Sequence, residues 1–163
     1  MALYPVAGCK IFIGGVLADK SADFVEADFA SQTWKEISGW SQMGPIGDTA
    51  QVITTSLIGS DRDKKQKGTR NAGSMQNVFA AMDTDEGQIA LIGASQARSN
   101  YAFKVELNDK PVGAAPTPSQ RLFIGLVMSA QEQGGGANTI RNLESTIEIN
   151  SNIVRVAAAT GDA

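Results

Sequence analysis

The side chains most able to do chemistry are few and poorly placed for it. The chain contains no histidine, which removes Ser-His-Asp and Cys-His nucleophiles, histidine-bound zinc and the commonest general base. Its one cysteine, Cys9, has no partner for an intrachain disulfide, so nothing demands an oxidising compartment and cytoplasmic folding is the default. Asp61-Arg62-Asp63 opens like a calcium loop, but Gln66 and Ala72 stand at the sixth and twelfth positions, where that loop needs Gly and Glu. Lys64, Lys65 and Lys67 could touch phosphates, yet a short basic run beside Asp61 and Asp63 reads as a solvated loop tip. Gly134-Gly135-Gly136 precedes a strand and not a helix, which makes it a hairpin connection, permissive of positive φ, instead of a phosphate loop. Trp34, Trp40 and Tyr101 lack the interleaved basic residues of a base-stacking platform and read as core. Asp83 with Asp85, and Glu144 with Glu148, have nothing in the sequence to split their pKa values; helix capping and a solvated strand face account for them. The reading is a non-enzyme with no metal and no cofactor.

The elements that carry these residues are mostly strands. With 163 residues, 42% hydrophobic and 19% charged, the chain can bury one sizeable core and is read as one domain over residues 1–163. Lys10 to Leu17 predicts a strand with Ile11 and Ile13 on one face, and Asp23 to Ser31 fits either a strand or a single helical turn. Thr33 to Trp40 and Gln51 to Ile58 predict two further strands. Gly59 to Gly68, with six charges in ten residues, predicts a solvated loop. A strand follows over Thr69 to Met82, with Met75, Val78 and Phe79 as core contacts. One helix is expected over about residues 84 to 98, with Asp83 as N-cap, Glu86 three residues on, and an apolar stripe from Ile89 to Ala97.

Tyr101, Phe103, Val105 and Leu107 alternate with polar or small residues, a half-buried strand, and a proline-bearing loop runs from Asn108 to Gln120. Arg121 to Gln131 is apolar on both faces, so something must cover each. Thr139 to Ile149 returns antiparallel, with Leu143, Ile147 and Ile149 inward and Asn142, Glu144, Thr146 and Glu148 on the opposite face. The fold class is therefore mainly β: an antiparallel β-sandwich or open barrel with one flanking α-helix.

Charge and targeting bound the partners. A net charge of −3 gives no excess cation for sequence-independent duplex binding. Val6-Ala7-Gly8-Cys9 looks like a lipobox, but no Lys or Arg precedes it and Leu3 to Ala7 is short and broken by Pro5. No segment approaches the roughly 20 apolar residues of a membrane helix, so no membrane partner is expected.

One ordered set of features points further. Trp34-Lys35-Glu36-Ile37-Ser38-Gly39-Trp40, then Gly44-Pro45-Ile46-Gly47-Asp48-Thr49-Ala50, the β-branched run Val52 to Thr55 and the charged loop follow in order. Asp83-Thr84-Asp85-Glu86-Gly87-Gln88 then opens a helix, and the last hairpin pairs Phe-Ile-Gly-Leu-Val with Leu-x-x-Thr-Ile-x-Ile. Over about residues 10 to 150 this order resembles the major tail tube proteins of long-tailed, siphovirus-like bacteriophages. It departs from them at Pro45, in the long Asn108–Gln120 loop and in the arms 1–9 and 151–163.

The resemblance implies a structural role. Subunits would form hexameric rings that stack into a hollow tail, with tape measure, tail terminator and tail-tip proteins as partners, assembly in the host cytoplasm, and DNA passing without specific binding. It implies that the loop at 58–70, with Asp61, Arg62, Asp63, Lys64, Lys65 and Lys67, joins stacked rings, and that Asn142, Glu144, Thr146 and Glu148 are candidates for the lumen wall. About six subunits with about four strands each, at roughly 4.8 Å spacing and 40° tilt, close a barrel about 50 Å across, which admits a duplex. The alternatives are a tube protein of a phage-derived bacteriocin or secretion apparatus, which would share the fold, and a small ligand-binding β-barrel.

Overall fold

A computed structural model describes residues 2–161. The chain runs β1 (Lys10–Val16), a 3-10 turn (Glu26–Phe29), β2 (Lys35–Glu36), β3 (Trp40–Gln42), β4 (Thr49–Thr55), β5 (Lys64–Asn71), β6 (Ser74–Ala80), α1 (Glu86–Gln96), β7 (Tyr101–Glu106), β8 (Gln120–Gln133), β9 (Asn142–Ile149) and β10 (Val154–Val156). All strand pairs are antiparallel. Seven strands follow the order β2-β1-β7-β8-β9-β6-β3, β10 adds to β8, and among the described residues β4 pairs only with β5. The fold is mainly β, a curled half-barrel with one helix.

The longest strand sets the curl. β8 has 14 residues, and its first half pairs with β7 only as far as Gly125, opposite Tyr101. Its second half pairs with β9 out to Gln133. The two ends of the sheet meet through Ile37, Ser38 and Gly39, because the chain needs only these to pass from β2 on β1 to β3 on β6. Ile37 N donates to Ile11 O at 2.9 Å and Ala80 N to Gly39 O at 2.7 Å, so the link is hydrogen-bonded to both edges. Gly39 takes φ +78°, a region costly for any residue with a Cβ. This is why Thr33 to Trp40 is not one strand: its two ends serve opposite sides of the barrel.

The main core fills the curl. Ile11, Ile13, Met75, Phe79, Phe103, Val105, Phe123, Leu143 and Ile147 are buried there with Leu91 and Ala94 of α1. The helix is capped by Asp85, not Asp83. Its side chain accepts from Gln88 N at 3.0 Å and Ser38 N at 3.1 Å. Buried Gln88 donates to Ser38 O and Ala80 O, both at 2.8 Å, and accepts from Met82 N, so one side chain ties the helix to the edge link. A Cβ on Gly87 would lie 2.0 Å from Glu36 O, and that close approach lets α1 seat on β2. The expected apolar stripe is narrower than its composition, since Ile89 points to solvent.

A second cluster lies on the outer side of β7 and β8. Phe24 and Phe29 cover Ala102, Leu122 and Ile124, with Trp34 and Val154 at the margin. Both faces of the first half of β8 are thus covered by this chain itself, so no neighbouring subunit is needed there.

Other expectations change in detail. Asp23 to Ser31 takes the helical-turn option, at Glu26–Phe29. Thr69 to Met82 is broken by Gly73, and its first residues belong to β5. Gly59 to Gly68 is only partly loop: Lys64, Lys65 and Lys67 lie on β5. None of Gly134, Gly135 and Gly136 takes a positive φ. The C-terminal arm carries β10, which continues the path of β9 along β8, pairing Val154 with Leu122 and Val156 with Gln120. Met1, Asp162 and Ala163, the outermost residues of the two arms, lie outside the described residues.

Candidate assembly surfaces

Among the described residues no three side chains of metal-ligating type converge, and no helix is long and apolar enough to cross a membrane. What the fold builds instead is surface. Three parts of it are unusual for a lone chain.

The first is a polar sheet face. β9 alternates strictly, with Leu143, Ser145, Ile147 and Ile149 buried and Asn142, Glu144, Thr146 and Glu148 half-buried on the outer side. The four residues expected there from the sequence are therefore on one face. Pairing extends that face sideways: Ser74, Gln76 and Val78 of β6 stand opposite Glu148, Thr146 and Glu144, and Ser129, Gln131 and Gln133 of β8 stand opposite Thr146, Glu144 and Asn142. Ser74 Oγ donates to the Glu148 carboxylate. Only two of these side chains are charged, both negative, and no Lys or Arg interrupts them. The alternation in Ser129, Gln131 and Gln133 was available in the sequence, but their facing cannot be assigned without the one-residue register shift between Val127 and Ser129.

The second is an edge. β7 leaves β8 at Gly125, so among the described residues no strand pairs with β8 on that side from Leu126 to Gln133. At the other end of the same four-stranded patch, β3 is short and held to β6 by Asn77. This buried side chain accepts from Trp40 Nε1 at 3.1 Å and from Gly44 N at 3.0 Å.

The third is the β4–β5 hairpin. Every residue of β4 is exposed, as is all of β5 except Gly68, and among the described residues no other strand pairs with either. Asp61, Arg62 and Asp63 lie in its turn, where Asp63 accepts from Ser56 Oγ at 2.6 Å. Lys64, Lys65 and Lys67 face Thr55, Thr54 and Val52 across the ladder. Sequence reasoning singled out these charges and missed the exposed apolar residues beside them: Val52, Ile53, Leu57 and Ile58.

The architecture that unites these surfaces is shared with known structures. The chain superposes on the SPP1 tail tube with a TM-score of 0.66 at 12% identity, covering 94% of this chain and 80% of that one. The chain has the tail-tube fold. It also matches a PVC sheath/tube terminator of an extracellular contractile injection system (TM-score 0.67, 12% identity, 96% and 99% covered) and the tail of a gene transfer agent particle (0.57, 16%, 90% and 96%). No family model and no curated protein matches the sequence. At these identities what is shared is the tail-tube fold.

Elsewhere on this tail-tube fold, ionisable groups serve the loops. Asp109, in the long Asn108–Ser119 connection, accepts from both Ser119 Oγ and Ser119 N, and those hydrogen bonds hold its carboxyl below the usual carboxylate range. Asp28 is likewise lowered, first by its bond to Lys20 and then by Val25 N.

Proposed function

We propose that this chain is the structural subunit of a hollow tail tube: copies close into rings, hexameric by the resemblance, and the rings stack around a channel through which DNA passes. The observation that carries the reading is the open polar face of β3, β6, β9 and the second half of β8, bounded by an unpaired edge. These four strands alternate in direction. A rotation about the ring axis preserves strand direction, so it sets the β8 edge of one copy antiparallel to β3 of the next. An even number of strands thus permits continuous antiparallel pairing round the ring and removes an edge that would otherwise invite aggregation.

In this reading Asn142, Glu144, Thr146 and Glu148 belong to the lumen wall. Each phosphate neutralised by a wall cation would release counterions and add affinity, so a neutral or acidic wall lets the duplex slide. Asp61, Arg62, Asp63, Lys64, Lys65 and Lys67 belong to the contact between rings. Tape measure, terminator and tail-tip proteins are the implied partners, the virion tail is the site of action, and the host cytoplasm the place of assembly. Likeness to contractile injection systems supports a second reading, the tube of a phage-derived injection apparatus, which genome context separates from a phage tail.

Negative-stain microscopy of the concentrated protein tests the assembly: rings or tubes are expected, and a monodisperse monomer at high concentration would overturn it. The lumen assignment has its own test. Glu144→Lys with Glu148→Lys should permit tubes but slow genome passage in an infection assay, more at low salt; normal ejection kinetics from mutant tubes would remove these residues from the wall.

A further inference from the structure

Two groups of exposed apolar residues flank β6 along the chain. At its Ser74 end is the root of the β4–β5 hairpin, whose turn leaves Ile58 fully exposed and Leu57 51% exposed. At its Ala80 end Met82, Ile89 and Ile140 are 45%, 55% and 75% exposed. These three belong to one neighbourhood. Met82 N donates to the side chain of Gln88, next to Ile89, and Ala81 N donates to Arg141 O, next to Ile140.

Charge divides in the same way. Of the nine residues from Arg62 to Arg70, five are cationic and one is acidic. The apolar group at the other end is rimmed by Asp83 and Glu86, and its one cation, Arg141, is already paired with Asp83 at 3.2 Å. The hairpin has no core behind either face, and an isolated two-stranded hairpin is marginally stable in water, so its apolar tip is expected to be covered by something outside the chain.

We propose that these surfaces are the two halves of one joint between copies: the Leu57–Ile58 tip of one subunit seats on the Met82, Ile89 and Ile140 patch of a second copy, with Lys64 and Lys65 against Asp83 and Glu86. The inference rests on the reading of the hairpin as the contact between rings and adds the surface that receives it. Its geometry is heterologous, a hairpin tip on a different patch, so each addition leaves a fresh tip and a fresh patch, and growth stays open-ended where the rotation between copies does not close. Apolar contact supplies the affinity. Opposed charge fixes which end is met and disfavours tip-to-tip pairing.

Charge exchange tests the pairing. Lys64→Glu with Lys65→Glu, and separately Asp83→Lys with Glu86→Lys, alter exposed side chains and spare the cap Asp85; each chain should unfold thermally as one cooperative unit yet lose tube growth in sedimentation and microscopy. The chain carrying all four changes should recover tubes, because the interaction is restored with its signs reversed. Ile58→Asp and Ile140→Asp should each abolish stacking with no reversal available. If the hairpin changes block stacking and the patch changes do not, the hairpin remains the joint and the receiving surface is overturned. If both pairs block but the fourfold chain stays unstacked, the two surfaces serve different contacts and the pairing is overturned. Unimpaired tubes from the hairpin variants would overturn the joint itself.

Discussion

The hairpins β4–β5 and β8–β9 are both antiparallel and both contain β-branched residues, yet one stands in solvent and the other closes the core. In β9, Leu143, Ile147 and Ile149 fall two or four residues apart, so all three project to one side and are buried. In β4, Val52 and Ile53 are consecutive, so each face receives a single large apolar side chain and neither acquires a stripe. Period, more than content, decides which strand can contribute to a core. A hairpin without a stripe keeps its backbone ladder but cannot be buried by its own chain, which leaves it available to another.

Truncation in the packed hairpin should have the largest effect. Ile147→Ala removes a fully buried side chain and is expected to cost about 2–5 kcal/mol in urea unfolding. A loss under about 1 kcal/mol would mean that β9 is not the core strand described. Asn77→Ala comes next. It leaves Trp40 Nε1 and Gly44 N without their acceptor and should cost about 1–3 kcal/mol, with loosening of β3 read as faster amide exchange at Trp40 to Gln42.

A smaller, pH-dependent effect separates loop from core. Because hydrogen bonds to Ser119 lower the Asp109 carboxyl in the folded state, its contribution is present above the ordinary carboxylate value and is lost as pH falls through the lower folded value. Asp109→Asn should therefore flatten the acid limb of the stability curve and leave the difference between pH 6 and pH 8 unchanged; an unaltered acid limb would count against it.

The smallest effect on subunit stability belongs to the exposed hairpin. Ile53→Ala, and removal of Asp61 to Lys67, should leave the unfolding midpoint of the eight-stranded sheet within the range of about 0.5 kcal/mol typical of surface changes. The deletion should nevertheless block tube growth. Wild-type tube yield from the deletion would end the contrast between the two hairpins, and a cooperative loss of the whole fold would show that β4–β5 is part of the core after all.

Local order explains what could be read early. Alternation located β1, β7 and β9, and Asp followed by good helix formers located α1 to within two residues at each end. The polar face of β9 needed only a period of two. The break at Ile37–Gly39 was hidden, because its cause is the meeting of two sheet edges that are distant in sequence. The charged stretch Lys64–Lys67 reads as loop from composition, yet it pairs with Thr55 to Val52, and cross-strand partners are not encoded in either strand alone. Exposure of Leu57, Ile58 and Met82 was equally illegible, since apolar residues point inward by default and only packing shows which are left out.

By itself, then, the chain's sequence determined its class: mainly β, one helix, no histidine chemistry, one polar face on the last long strand. Those properties follow from residue type and spacing along a few neighbouring positions. Only the tertiary structure decided that β8 changes partner at Gly125 and leaves an edge free, that Phe24 and Phe29 cover Leu122 and Ile124, and that one hairpin is excluded from the core. Each of those outcomes depends on contacts between residues far apart in sequence, where a local pattern permits several arrangements and closure of the whole sheet selects one.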